Sequence, residues 1–145
     1  MADVIFNAAR GRVREKVING GANFGIMLLK TAEADATLRD YADLSAMLAA
    51  AGNVEADFTN YARKTGLTGT QTVNNTNETA SADLGDQTWT TAGGTTDNTL
   101  VKLIVFFQES ASDAGRVPLT AHDFAITTNG NDLTAQIPSG FYGSS

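Results

Sequence analysis

Apolar residues in this chain fall into short runs that are separated by glycine, asparagine and proline. The most hydrophobic run, Leu100–Phe107, combines β-branched and aromatic residues. This composition predicts a central β-strand. The run Phe24–Lys30 predicts a second buried strand. Phe58–Leu67 has aromatic residues in loose alternation, and Asp86–Thr91 contains the single tryptophan, so both segments predict further strands.

One segment has helical periodicity instead. Thr37, with Asp40 three residues later, forms an acidic variant of the capping box. Gly52 is suited to the C′ position, where many helices end. We therefore expect one packed helix that spans approximately residues 38–51. Its apolar positions, spaced three or four residues apart, are Leu38, Tyr41, Leu44 and Leu48.

Turn signals divide the rest of the chain. Thr68–Asp83 is rich in Thr, Asn, Gly and Ser, which predicts a loop or an edge hairpin exposed on both faces. Pro118 is expected to start a short turn or 3₁₀ segment that runs to Phe124. Asn129-Gly130 lies between the apolar segments 125–128 and 133–137, and this arrangement predicts a β-hairpin.

These elements predict a β-rich α+β fold, mainly an antiparallel sandwich or a small open barrel with one packed helix. Residues 4–18 fit either a helix or a strand. We expect them to form an N-terminal helix or arm that precedes the domain. We expect a basic N-terminal element over residues 1–23 and a single domain over 24–145. Within that domain, the exposed loop or hairpin covers residues of about 68–85.

Composition excludes several classes of protein. The chain has 145 residues, of which 42% are hydrophobic, enough for a core without cross-links. It contains no cysteine, so disulfide scaffolds and Cys-ligated metal centres are excluded. No apolar run approaches the length of a membrane span. The N-terminus has its basic residues after the apolar ones, unlike a secretory signal, and we expect no membrane association.

Charge is distributed unevenly along the chain. Residues 1–30 carry five bases and two acids, whereas residues 31–145 carry five bases and fourteen acids. The basic residues of the first part form either a solvated face or a surface that binds an acidic protein partner. We expect no direct nucleic-acid contact, because the rest of the chain would repel phosphate. The candidate partner-binding residues are Arg10, Arg12, Arg14 and Lys16.

The chain contains no recognisable catalytic motif, and its candidate catalytic residues are one histidine and three pairs of carboxylates. His122 is the only histidine, and we expect it to fix a turn through a hydrogen bond. Asn129–Asp132 lacks the ligand spacing of a calcium loop, so turn chemistry explains it. Carboxylate pairs need to face each other across a cleft to act as an acid–base couple, which sequence does not show. Those pairs are Glu33/Asp35, Asp40/Asp43 and Glu55/Asp57. We expect no enzyme activity, no metal and no cofactor.

Several motifs resemble a family of small structural proteins from the virions of tailed bacteriophages. The shared features are the helix motif Leu-x-Asp-Tyr-x-x-Leu and the strings EADFTNYARK, DQTW, PLTAHDFA and a closing GFY. The resemblance covers nearly the whole chain from Phe6 onward and is weakest over residues 66–83. It implies a virion location after assembly in the bacterial cytoplasm, and it carries over no catalytic residues.

Within that family, the leading hypothesis is a capsid decoration, or cement, protein. Such a protein would bridge subunits of the major capsid protein in many copies, as a homo-oligomer. One alternative is a low-copy tail, fibre-attachment or head–tail adaptor protein. A second is a carbohydrate-binding host-recognition module that stacks sugars on Trp89, Phe141 and Tyr142, although core packing also explains these aromatic residues.

Overall fold

The computed structural model describes residues 4–6, 23–76, 79–137 and 142–144. It confirms the predicted β-rich α+β class with antiparallel strands. The helices are α1 Asp35–Leu38 and α2 Leu44–Ala49, and a 3₁₀ turn spans Asp113–Gly115. The strands are β1 Val4–Ile5, β2 Phe24–Thr31, β3 Val54–Glu55, β4 Lys64–Leu67, β5 Thr70–Asn74, β6 Thr79–Asp83, β7 Gln87–Trp89, β8 Thr99–Gln108, β9 Arg116–Thr127, β10 Leu133–Ala135 and β11 Tyr142–Ser144.

The main sheet has the strand order β1-β9-β8-β2-β3, and β4 pairs with the other end of β2. The apolar run predicted as a central strand is β8, which lies between β2 and β9. Its burial is almost continuous, as is that of β2, so both faces of the sheet are covered. This explains why these two strands lack the alternation of a half-exposed sheet.

Different parts of the chain cover the two faces of the main sheet. Successive side chains alternate between the faces, so Lys102 and Phe107 lie on opposite sides of β8. Asp35 of α1 binds Lys102 and therefore lies over the first face. Phe24 pairs with Phe107 on the second face, where Gly69 lies against the Phe24 ring. The segment that leads into β5 thus starts from the second face.

Two smaller sheets complete the described part of the molecule. One is the pair β7–β10, and the other has the order β11-β6-β5. The stretch expected to be a loop or an edge hairpin forms the hairpin β5–β6. It is not exposed on both faces, because Ala82 is fully buried.

The single predicted helix is in fact two short helices. Residues 39–43 interrupt it, and the side chain of Asp43 caps α2 by accepting a hydrogen bond from the Ala46 amide at 2.8 Å. Thr37 lies inside α1 and does not cap it. The helix α2 ends at Ala49, before Gly52, so this glycine does not end the helix. The Glu33 side chain packs against Gly52 and leaves no room for a side chain there. The apolar spacing was therefore right and the caps were wrong.

The hairpin predicted at Asn129-Gly130 is also corrected. Gly130 has the positive φ expected of such a turn, at 89°. The strands on either side do not pair with each other, since β9 pairs with β8 and β10 pairs with β7. The turn therefore connects two different sheets.

The short turn predicted from Pro118 to Phe124 is wrong, because both residues belong to the long strand β9. A register shift in the β8–β9 pairing lies between Val105 and Phe106, opposite Thr120 and Pro118. An irregularity of this kind accommodates a proline, which has no amide hydrogen to donate. In the N-terminal element, Val4 and Ile5 form a strand, and residues 7–22 lie outside the described residues.

Candidate functional site

An apolar groove lies along the outer part of β9. Its volume is about 340 Å³, and Phe124 and Ile126 of β9 line it together with Thr134 of β10. Ile126 is 38% exposed, a high value for a large aliphatic side chain. Leu103 and Ile137 are almost fully buried beneath the groove. A concave apolar surface with an exposed aliphatic residue is typical of a site that receives a side chain of another protein.

Polar groups border the same groove. His122 is buried and its Nε2 lies 2.9 Å from the Thr120 hydroxyl, within β9 rather than in a turn. Asp123 points to the other face of the sheet and binds the ammonium group of Lys102. His122 and Asp123 therefore diverge, as expected for neighbours in a strand, and do not form a catalytic couple.

Lys102 is a buried cation held by two carboxylates. Its ammonium nitrogen lies 2.7 Å from Asp35 Oδ1 and also binds Asp123. Burial opposes the charged form, but the hydrogen bonds that Lys102 donates to both carboxylates outweigh it and raise the pKa of Lys102. A lysine whose charged form is favoured and which already has two partners joins α1 to the sheet and is a poor nucleophile.

The acids proposed as catalytic pairs each have other partners. Glu33 accepts hydrogen bonds from the Tyr41 hydroxyl at 2.6 Å and the Asn53 amide at 2.8 Å. Asp57 binds Lys30 at 2.7 Å, and this hydrogen bond lowers the pKa of its carboxyl. These contacts explain both carboxylates by structure, as the contact with Lys102 explains Asp35.

Glu55 belongs to a larger cluster around Arg63. The guanidinium group of Arg63 binds both oxygens of Glu55 at 2.6 Å and also binds Asp113 at 2.5 Å. The Tyr61 hydroxyl donates to Glu55 and accepts from the Leu28 amide, so the cluster reaches the backbone of β2. Burial and the nearby charge of Glu55 raise the pKa of Tyr61. The cluster joins distant segments of the chain, and both Glu55 and Asp113 bind Arg63 within it.

Trp89 packs inside the protein and does not offer a stacking surface. Its exposure is 2%, its indole nitrogen donates to the Ala62 carbonyl at 2.7 Å, and its ring stacks on Tyr61. The core-packing alternative is therefore correct for Trp89. Phe141 and the side chain of Tyr142 lie outside the described part of the structure.

The candidate partner-binding residues Arg10, Arg12, Arg14 and Lys16 also lie outside it. The groove was not predicted from the sequence, although the alternating apolar residues Phe124 and Ile126 were an available signal of an apolar surface on one face of a strand. Within the described ranges, no cluster of His, Asp or Glu side chains is arranged to hold a metal ion. No helix in those ranges has the length and apolar character needed to cross a membrane.

Comparison with known proteins gives no relatives. No protein-family model matches the chain, and neither a curated protein nor a solved structure matches it.

Proposed function

We propose that the protein is a structural component of a bacteriophage virion, and specifically a capsid decoration protein that bridges subunits of the major capsid protein. The groove beside β9 supports a role in binding other proteins, since its exposed Ile126 and concave apolar wall suit a protruding side chain. The motifs that resemble phage structural proteins support the virion location.

The described charged groups favour assembly over catalysis. Glu33, Asp35, Glu55 and Asp57 all have donors or cations as partners. A general acid or base needs a carboxylate directed at substrate, whereas these four carboxylates bind groups of their own chain. The charge asymmetry of the chain also suits assembly, because a basic N-terminal element can contact the acidic body of a neighbouring copy or the capsid. Arg10, Arg12, Arg14 and Lys16 are the residues that we propose for this contact.

The test is the number of copies per particle, measured by quantitative mass spectrometry of purified virions against the major capsid protein. A decoration protein occurs in hundreds of copies, in proportion to the capsid lattice. About six or twelve copies, the numbers typical of a ring at the tail or neck, would replace this proposal with the tail or adaptor alternative. Absence from the particle would reject both.

A control separates bridging from passive attachment. Virions assembled without the protein should lose DNA at a lower temperature than complete virions, and adding the purified protein should restore the original temperature. Unchanged thermal release, with many copies bound, would reject the stabilising role. A carbohydrate-binding function is not proposed, because the burial of Trp89 removes its main stacking residue.

A further inference from the structure

Strand β5 has one partner in the described structure and presents an open edge. It pairs with β6 through five residue pairs, from Thr70↔Asp83 to Asn74↔Thr79, and it ends the sheet β11-β6-β5. Within the described residues no strand lies on its outer side, so the N–H and C=O groups that point outward there are available to another strand.

This edge also lacks the short length or the charged residue that protects the other edges of the described structure. Among the described strands with one partner, β5 is the longest, at five residues. Strands β1 and β3 have only two residues each. Strand β4 carries Lys64, contains Gly66 with a φ of 66°, and pairs irregularly with β2. By contrast, the sequence of β5, TQTVN, has no charge and no proline. Natural proteins usually place such residues on an edge that must stay unpaired.

We propose that β5 pairs with β5 of a second copy of this chain, antiparallel and about a two-fold axis. A strand and its own copy are complementary under this symmetry, because each residue whose N–H and C=O groups point outward meets another such residue, and the two exchange both hydrogen bonds. The pairing places Thr72 opposite Thr72 of the second copy and Thr70 opposite Asn74. The two sheets then form one continuous sheet with the order β11-β6-β5-β5-β6-β11.

Charge explains why two copies would meet at this strand and not elsewhere. Residues 31–145 carry fourteen acids against five bases, so two domains repel each other over most of their surface. An uncharged strand is a place where they can approach without that cost, and opposed threonines form a favourable cross-strand pair. The proposal rests on the self-association included in the proposed function and specifies its surface.

The test is sedimentation velocity of the full chain over a concentration series. Wild-type protein should form a dimer as concentration rises. Thr72→Lys and Thr72→Glu each place like charges opposite one another across the axis, and each should raise the dimer Kd by about tenfold or more. An equimolar mixture of the two variants should recover the wild-type Kd or a lower value, because Lys then faces Glu.

Thr90→Lys is the matched control, since Thr90 is exposed in a turn and the substitution changes the net charge by the same amount. It should leave the Kd unchanged. Near-ultraviolet circular dichroism of the buried Trp89 reports whether each variant is folded. Recovery of the wild-type Kd in the mixture is independent evidence that both Thr72 variants are folded. A wild-type chain that stays monomeric, a dimer that ignores the Thr72 substitutions, or a mixture with no recovery would each overturn the proposal.

Failure of this proposal is distinguishable from failure of the proposed function. If the chain is monomeric in solution but present in hundreds of copies on the virion, the β5 pairing is rejected and the decoration role stands. If it dimerises through β5 but occurs in about six or twelve copies per particle, the decoration role is rejected and the pairing stands.

Discussion

Arg63 and Glu55 form a two-pronged ion pair, with Nε and one terminal nitrogen of the guanidinium each 2.6 Å from a carboxylate oxygen. The pair joins the last residue of β3 to the residue that precedes β4. Arg63 also binds Asp113, so one side chain connects regions that lie 50 residues apart in the chain. A planar guanidinium suits this arrangement better than an ammonium group would.

Replacing Glu55 should therefore destabilise the fold. Glu55→Gln keeps the shape but leaves Arg63, whose side chain is 17% exposed, with an incomplete set of partners. We expect a loss of about 2 kcal/mol in the free energy of unfolding, measured by urea denaturation. Lys30→Gln, in the more exposed pair with Asp57, should cost less than about 1 kcal/mol. Equal losses in the two variants would contradict this ranking.

Gly25 is required by the ring of Phe106. A Cβ atom added at Gly25 would lie 2.2 Å from that ring. Gly25→Ala should therefore lower the free energy of unfolding by about 3 kcal/mol, as overpacking of a core does. Gly85→Ala is the control, since no atom lies within 4 Å of its added Cβ, and it should be close to neutral. In a Phe106→Leu background, Gly25→Ala should cost clearly less. An equal cost in both backgrounds would show that the ring is not the cause.

The cap of α2 distinguishes the structure from the sequence prediction. Asp43→Ala removes the side chain that accepts from the Ala46 amide and should cost about 1 kcal/mol in thermal or urea unfolding. Thr37→Ala, at the position that the sequence favoured, should change stability by less than about 0.5 kcal/mol. The reverse ranking would place the cap at Thr37.

Stability at acid pH should depend on Asp113. The hydrogen bond from Arg63 holds the pKa of this carboxyl below its ordinary value of 3.8. A group with a lowered pKa in the folded state stabilises the fold above its unfolded value and loses that contribution as pH falls through the folded value. The stability difference between wild type and Asp113→Asn should therefore be constant near neutral pH and shrink below about pH 3.8. Urea denaturation across pH measures it, and a difference that grows on acidification would refute the assignment.

The groove beside β9 should govern attachment to the partner. Ile126→Asp puts a charge on its exposed wall and should reduce the amount of protein bound to virions by about tenfold or more. Val54→Asp is a matched control, because Val54 is also 38% exposed but lies on β3 at the other edge of the main sheet. Equal loss of virion binding in both variants would show that the effect is not specific to the groove. Wild-type binding by both variants would exclude the groove as the contact surface.

The sequence by itself determined the features that depend on neighbouring residues. Leu100–Phe107 is apolar and β-branched enough to form a buried strand in almost any context, and Asn129-Gly130 favours the backbone angles of a turn. Apolar spacing likewise indicated a helical segment in this region, although as one helix over about 38–51 where the structure has two shorter ones. The β-rich α+β class follows from such local signals, because each concerns only a few consecutive residues.

Tertiary structure decided which strands pair and what each polar side chain binds. The Asn-Gly turn bends the chain, but long-range contacts direct β9 to β8 and β10 to β7. Residues 39–43 separate the two helices, and Tyr41 in this break donates a hydrogen bond to Glu33. Glu33 also accepts one from Asn53, which follows α2 in the chain. The groove exists because β9 meets β10 and the residues that follow it in space, and nothing in the local sequence around Thr134 and Gln136 indicates this contact. These outcomes depend on partners distant in the chain, which local periodicity and turn chemistry do not specify.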